Sequence, residues 1–340
     1  MNCTNCFQPI SDGRKAVRCT TCNKPLHKEC AINENNNIYC DVCYTIKTEE
    51  NNQSANTDII IPDVIRRSHI ETYRACPYKF YLEVIKGITP PPTIYTQLGI
   101  DLHELFDKAC NNKAYRIKDM HNDFENIWSH YDNDLFDTFY GDKSKEEQTL
   151  RMYNRAINSI DTFYNILPTL PSQPHTTETQ IIYSIGDNLP KISITSDRTD
   201  IQDDMINMSD WKTGQVMVGQ KLSSDLQVPL YIKAVETKYD IPVRKFTLYY
   251  LDENKTRVFE RTEKDDHFVC TVNKRQYFIS PIEAVREVQH IFSQIKKGNF
   301  NIPRDTKKMY FTCKTCYFKS NGTCQGADME CWRQYNKGVS

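Results

Sequence analysis

Residues 191 to 214 read KISITSDRTDIQDDMINMSDWKTG, and the fold turns on this stretch. Ile192 and Ile194 alternate with polar residues, Gln202, Asp203 and Asp204 break the run, and Met205 to Met208 lead into Asp210, Trp211 and Lys212. This is the pattern of two short strands joined by a polar turn. Side chains two apart on a strand share a face, which puts Asp210 and Lys212 together and Trp211 opposite. Asp197 reads as the end of the first strand, beside Asp210 once the hairpin closes. Two carboxylates and an ammonium converging at a strand end can hold a divalent cation and act on its water. A salt-bridged surface hairpin has the same Asp-x-Lys spacing, so the neighbourhood has to decide between them.

Upstream, residues 97 to 110 (QLGIDLHELFDKAC) place Leu98, Leu102, Leu105 and Phe106 on one helical face, with His103 beside that seam and four residues after Gly99. Further upstream, Ser68 with Glu71 three residues on reads as a capping box that opens SHIETYRACPYKFYLEVIKG, interrupted at Cys76-Pro77. Downstream of the hairpin, Leu226 to Tyr231 opens a helix with Ser224 or Asp225 as N-cap and Pro229 in its first turn. Gln227 and Tyr231 share a face of that helix. Near the end, Cys313, Cys316, Cys324 and Cys331 stand among Tyr310, Phe311, Tyr317 and Phe318.

In this order the elements resemble the RecB- and AddB-type PD-(D/E)XK nucleases and their CRISPR-adaptation exonuclease relatives. S-D-R-T-D at 196 to 200 and D-W-K-T-G at 210 to 214 resemble motifs II and III. Gly99-x-x-x-His103 resembles motif I, Gln227-x-x-x-Tyr231 a further motif, and S-x-I-x-x-Y-x-x-C-P at 68 to 77 the opening run. The resemblance implies an α/β fold over residues 63 to 340, a restriction-endonuclease-like mixed sheet flanked by helices. It implies catalytic roles for Asp197, Asp210, Lys212, Gln227 and Tyr231, and a Mg2+ or Mn2+ site of His103, Asp197, Asp210 and the Trp211 carbonyl. An imidazole ligand leans that site toward Mn2+. It further implies that Cys76, Cys313, Cys316 and Cys324 bind a 4Fe–4S cluster that clips the two ends of the domain together. Cys331 in place of Cys324, or zinc on the four local cysteines, are the alternatives there. The implied substrate is DNA, hydrolysed at ends or in single strands during recombination, repair or replication, with a helicase or a recombination or replication protein as partner.

The remaining chain is less specific. Asn111 to Tyr164 has Leu150, Tyr153, Ile157, Ile160 and Tyr164 at helical spacing, an inserted layer that would wall a DNA channel. Residues 178 to 183, 245 to 251 and 267 to 272 read as strands and 282 to 297 as an amphipathic helix. Glu178, near the start of the first of these strands, reads as a surface carboxylate, with contact to the metal site as the alternative.

Residues 1 to 45 carry Cys3-x2-Cys6, Cys19-x2-Cys22, His27-x2-Cys30 and Cys40-x2-Cys43. Eight ligands in four pairs fit two tetrahedral zinc ions, without which so short and polar a segment would not fold. The order of the ligands resembles the cross-braced PHD and RING-CH fingers, implying a module that binds protein or DNA. Two alternative functions remain: a zinc-finger adaptor whose nuclease-like domain grips DNA without cleaving it, or a ubiquitin ligase acting through the finger. Residues 46 to 62, within and after TIKTEENNQSANTD, read as a flexible linker.

The chain has 340 residues, a net charge of −1 and 14 cysteines, so global basicity does not advertise nucleic acid. From Lys296 onward, however, nine Lys or Arg stand against three acids, a local surface for an anionic partner. With half the cysteines in metal-ligand spacing and no export signal, metal sites inside the cell explain them better than disulfides. Cytoplasm or nucleus is the expected compartment, and the Asn- and Lys-rich composition suits a virus or phage. No apolar run approaches bilayer-spanning length, so a membrane is not among the expected partners.

Overall fold

A computed structural model describes residues 16–20, 25–34, 37–39, 59–138, 144–263, 266–302, 312–313 and 316–324. The chain divides into two compact units, Met1–Ile59 and Ile60–Ser340. In the first, β1 (Ala16–Arg18) pairs antiparallel with β2 (Pro25–His27), and β3 (Ile32–Glu34) with β4 (Asn37–Tyr39). Among the described residues Cys19, Leu26 and Tyr39 form a buried cluster. Cys30 packs beside them. The other expected zinc ligands, Cys3, Cys6, Cys22, Cys40 and Cys43 with the His27 side chain, lie outside the described residues, as do Cys331 and the linker up to Asp58.

The second unit is a mixed α/β fold. Its strands are β5 (Val64–Arg66), β6 (Thr176–Tyr183), β7 (Lys191–Gln202), β8 (Met205–Lys212), β9 (Val243–Tyr250), β10 (Lys255–Arg261), β11 (Phe268–Val272) and β12 (Arg275–Ile279). Its main helices are α1 (Arg67–Ala75), α2 (Ile94–Asn111), α3 (Ile117–Ser129), α4 (Lys145–Ile166), α5 (Gln227–Tyr239) and α6 (Pro281–Lys296). The sheet runs β12-β11-β10-β9-β8-β7-β5, with β6 also paired to β7. β8 and β9 are parallel, and α5 makes the crossover that parallel neighbours require. No helix among the described residues is long and apolar enough to cross a membrane.

The long strand β7 organises the sheet. β6 pairs with it from Ile192 to Thr199, while β5 pairs from Lys191 to Ser193 and β8 from Arg198 to Gln202. Because β6 shares residues of β7 with both β5 and β8, those two must lie on the opposite edge. That edge has no strand partner between Ser193 and Arg198, so the sheet opens at this point. Asp197 sits in the opening, in the interior of β7 and not at its end, because the strand continues to Gln202. The hairpin turns on Asp203 and Asp204, with φ of +50° and +56°, the left-handed pair of a two-residue turn that matches strand twist.

Two cores flank the sheet. The larger gathers Ile70 and Tyr73 of α1, Val228, Leu230 and Ile232 of α5, and Val288 and Phe292 of α6 against strand residues such as Met208 and Phe246. The second gathers Leu98, Leu102 and Phe106 of α2, Phe124 of α3 and Phe163 of α4 around Trp211 and Leu251. Helix α1 differs from expectation: it starts at Arg67, and its N-cap, Arg66, makes no side-chain capping bond. β5 runs straight into the helix, so Ser68 is already inside it and cannot cap. Glu71 instead pairs with Arg74 at 3.1 Å and accepts the Leu226 N–H at 3.4 Å.

Arg198 and Asp200, two apart on β7, are 1% and 2% exposed and pair at 2.8 Å. Arg198 also donates to the Pro171 carbonyl, tying β7 to the loop before β6. Replacing Arg198 by Ala strands a buried carboxylate, and thermal denaturation should register a loss of about 3–5 kcal/mol.

Candidate active site

The opening beside β7 is the floor of a cleft of about 710 Å³, lined by His103, Glu178, Asp197, Asp210, Lys212 and Gln227 among others. Alternation along β8 sends Asp210 and Lys212 into the cleft and Trp211 the other way. The indole packs edge-on against Phe163 at 5.0 Å, and Phe163 stacks on Phe106 at 4.3 Å. This packing locks α2 over the strand and carries His103 to the cleft.

The main chain of Trp211 then serves the site at both ends. Its N–H donates to Asp197 Oδ2 at 2.7 Å, and its carbonyl lies 3.0 Å from His103 Nε2. His103 Nδ1 faces Glu178 Oε1 at 3.3 Å and Asp197 Oδ2 at 3.5 Å. Glu178 is therefore not the surface carboxylate expected of it. It stands at φ +38°, and the β6–β7 register passes from Thr177↔Arg198 to Thr179↔Ser196 around it, so its carboxylate meets Asp197. Nothing in the sequence around Glu178 signals that backbone conformation; only the pairing register could have found it.

Asp210 is 2% exposed, and its carboxylate is held on both oxygens: Gln227 Nε2 donates to Oδ1 at 2.8 Å, and Lys212 Nζ lies 2.5 Å from Oδ2. Gln227 is placed by the first turn of α5, where Asp225 Oδ1 accepts the Gln227 N–H at 2.7 Å. Asp225, one of two expected caps, thus acts from just outside the helix, although Leu226 is the N-cap residue. The loop after Lys212 is pinned from α4: Arg155 donates to the Thr213 carbonyl at 2.6 Å and pairs with Asp252 at 2.7 Å. Tyr231, one turn after Gln227, lines the same cleft; burial, followed by the nearby Asp210 charge, keeps its phenol protonated.

The charges of the site explain its titration. Burial pushes the Asp197 carboxyl well above the usual carboxylate range, and Asp210 adds to this against the pull of His103 and Lys212. Burial disfavours the His103 imidazolium, but Asp197, the bond to Glu178 and the charge of Asp210 outweigh it and hold its pKa up at about 9. One ligand atom each from His103, Glu178 and Asp197 lies within 4.8 Å of the others, so a single cation fits among them. A nitrogen with two carboxylate oxygens is a donor set that Mg2+ or Mn2+ accepts.

The cysteine pattern also converges. Cys76 interrupts the first helical run in an extended conformation, 7% exposed, with its sulfur accepting the Lys79 N–H at 3.4 Å. Burial raises its thiol pKa, and the nearby charges of Cys316 and Cys324 raise it further. Cys313 responds in the same way, to burial first and then to Cys316, Cys76 and Cys324. Residues more than two hundred positions apart are thus neighbours in the fold.

The family model of the PD-(D/E)XK nuclease superfamily matches residues 67–324. The chain belongs to the PD-(D/E)XK nuclease superfamily. Membership of that superfamily makes it a metal-dependent nuclease that hydrolyses phosphodiester bonds, and the His103, Glu178 and Asp197 group is where a divalent metal can bind. No curated protein shows a significant match to the chain.

Binding a cation here requires His103 and Asp197 to give up protons. Both groups have raised pKa values in the fold, so proton binding at this site stabilises the protein at low pH, and that contribution fades as pH climbs toward about 9. Calorimetric titration with Mn2+ should accordingly show tighter binding at pH 8.5 than at pH 6.5, with protons released on binding. Asp197→Asn should abolish the Mn2+-dependent rise in Tm; an unchanged rise would place the metal elsewhere.

Proposed function

We propose that the chain is a DNA exonuclease of the RecB and AddB type, acting on ends or single strands in recombination, repair or replication. The observation that carries this reading is the Asp210–Lys212 ion pair, set in one cleft with the His103, Glu178 and Asp197 group. His103, Glu178 and Asp197, joined by Asp210 and the Trp211 carbonyl, would hold Mg2+ or Mn2+. When bound, the cation polarises the phosphate and acidifies water.

The chain's own residues do the rest. Lys212 reaches into the cleft from a fixed strand, orients the attacking water and offsets the charge that grows on the phosphate oxygens. Asp210 keeps that ammonium in place, and Gln227 keeps Asp210 in place. Tyr231 stays neutral and so can donate a hydrogen bond to the backbone of the nucleic acid.

Beyond the catalytic cleft, the reading assigns a 4Fe–4S cluster to Cys76, Cys313, Cys316 and Cys324, supported by their gathering from both ends of the second unit. Two zinc ions would fold the first unit as a finger for protein or DNA. The basic residues after Lys296 would guide the strand, with a helicase or replication protein supplying it.

Asp210→Asn and Lys212→Met should each lower metal-dependent cleavage of a labelled oligodeoxynucleotide about 10³-fold without altering the circular dichroism spectrum. Retained activity in either variant would refute the assignment. Anaerobic purification followed by metal analysis should yield about four irons per chain, and Cys76→Ala should lose the iron while keeping the zinc. Zinc alone at both ends of the chain would overturn the cluster.

A further inference from the structure

A second, smaller cavity of about 270 Å³ adjoins the catalytic cleft and takes no part in the chemistry described so far. Arg66, Arg67, Ser193, Thr195 and Tyr231 are among the residues that line it. Arg67, Thr195 and Tyr231 line the catalytic cleft as well, so the two spaces are continuous. Ser193, Thr195 and Asp197 alternate along β7 and share one face, a polar row leading from the small cavity to the cation site. At ~3.4 Å per residue, Thr195 stands ~7 Å before Asp197, a step comparable to that between successive phosphates of an extended strand.

Arg67 sets the chemistry of this cavity. Its Nε is buried and has no hydrogen-bond partner among the described residues. Its guanidinium bonds the Tyr231 hydroxyl, near which the Asp210 and Asp197 charges also lie, and it forms no ion pair with a carboxylate of the described residues. A partly desolvated cation without a counter-ion is costly, and the cost is relieved when an anion arrives. A planar guanidinium matches the oxygens of a phosphodiester two at a time. The first turn of α1 opens here too, and its N-cap residue, Arg66, makes no side-chain capping bond.

We propose that this cavity is a phosphate subsite in which Arg67 grips the phosphodiester next to the one being cleaved. The Ser193 and Thr195 hydroxyls flank that phosphate, and Arg67 acts as a positioning residue that sets the register of the strand against Lys212. The inference deepens the nuclease reading and rests on it for the identity of the ligand.

The test uses the full chain and a set of fluorescein-labelled oligodeoxynucleotides, each with one neutral methylphosphonate linkage at a different position. Binding is measured by anisotropy in EDTA and cleavage in Mn2+. For the unmodified strand, Arg67→Ala should raise KM on the order of tenfold with little change in kcat, and Arg67→Lys should recover part of the loss. At one linkage beside the cleaved bond, the methylphosphonate should weaken the wild type about as much as Arg67→Ala does, and should add nothing in that variant. A merely structural role for Arg67 would not produce that linkage-specific coupling. Equal methylphosphonate losses in both proteins at every position would overturn the subsite. If the wild type cleaves nothing yet the coupling appears in binding, the nuclease reading fails and the subsite stands.

Discussion

Two of the groups that face the cleft, Asp197 and His103, are held by a single residue, Trp211. Its indole is 1% exposed and wedged among Phe163, Tyr249 and the α2 helix, so the strand cannot shift without breaking the second core. Its amide donates to Asp197 of β7, and its carbonyl lies against His103 Nε2 of α2. Where β7 and β8 part company, the main chain of β8 would be left with unpaired groups, which a buried backbone does not tolerate. The side chains of Asp197 and His103 supply the missing partners. The opening of the sheet and the assembly of the site are therefore one event.

The cleft also gathers buried negative charge. Asp197 and Asp210 are buried on neighbouring strands, and Glu178 adds a third carboxylate from a residue at positive φ. Such an arrangement lowers stability unless positive charge is brought in. His103 and Lys212 provide part of it, each anchored by a different element, and a divalent cation would provide the remainder. Outside the cleft the fold treats buried charge differently: Arg198 and Asp200 neutralise one another within a single strand and leave nothing for a ligand.

Helix α1 joins the site to the far end of the chain. Tyr73 donates to the Asn299 carbonyl at 2.7 Å, Arg74 pairs with Glu287 of α6 at 2.9 Å, and Phe80 stacks on Phe300 at 6.3 Å. These contacts bring the segment after α6 back beside Cys76. The same helix places Arg67 at the mouth of the cleft and Glu71 against the start of α5, which carries Gln227.

Much of this was legible in the amino-acid order because it depends on local periodicity. Alternation separates Asp210 and Lys212 from Trp211, helical spacing sets His103 beside an apolar seam, and a polar pair marks the hairpin turn; neighbours along the chain decide each of these. Strands β5, β10 and β12 are too short or too polar to announce themselves. The start of α1 was misplaced because the capping pattern at Ser68 takes no account of a strand feeding directly into a helix. Glu178 and Arg67 lay beyond reach for a deeper reason. A carboxylate can become a ligand when its strand is registered against Asp197, and whether an arginine is paired depends on which carboxylates the fold brings to it. Both conditions concern residues far off in the chain, so they are met only once the sheet has closed and the helices have packed.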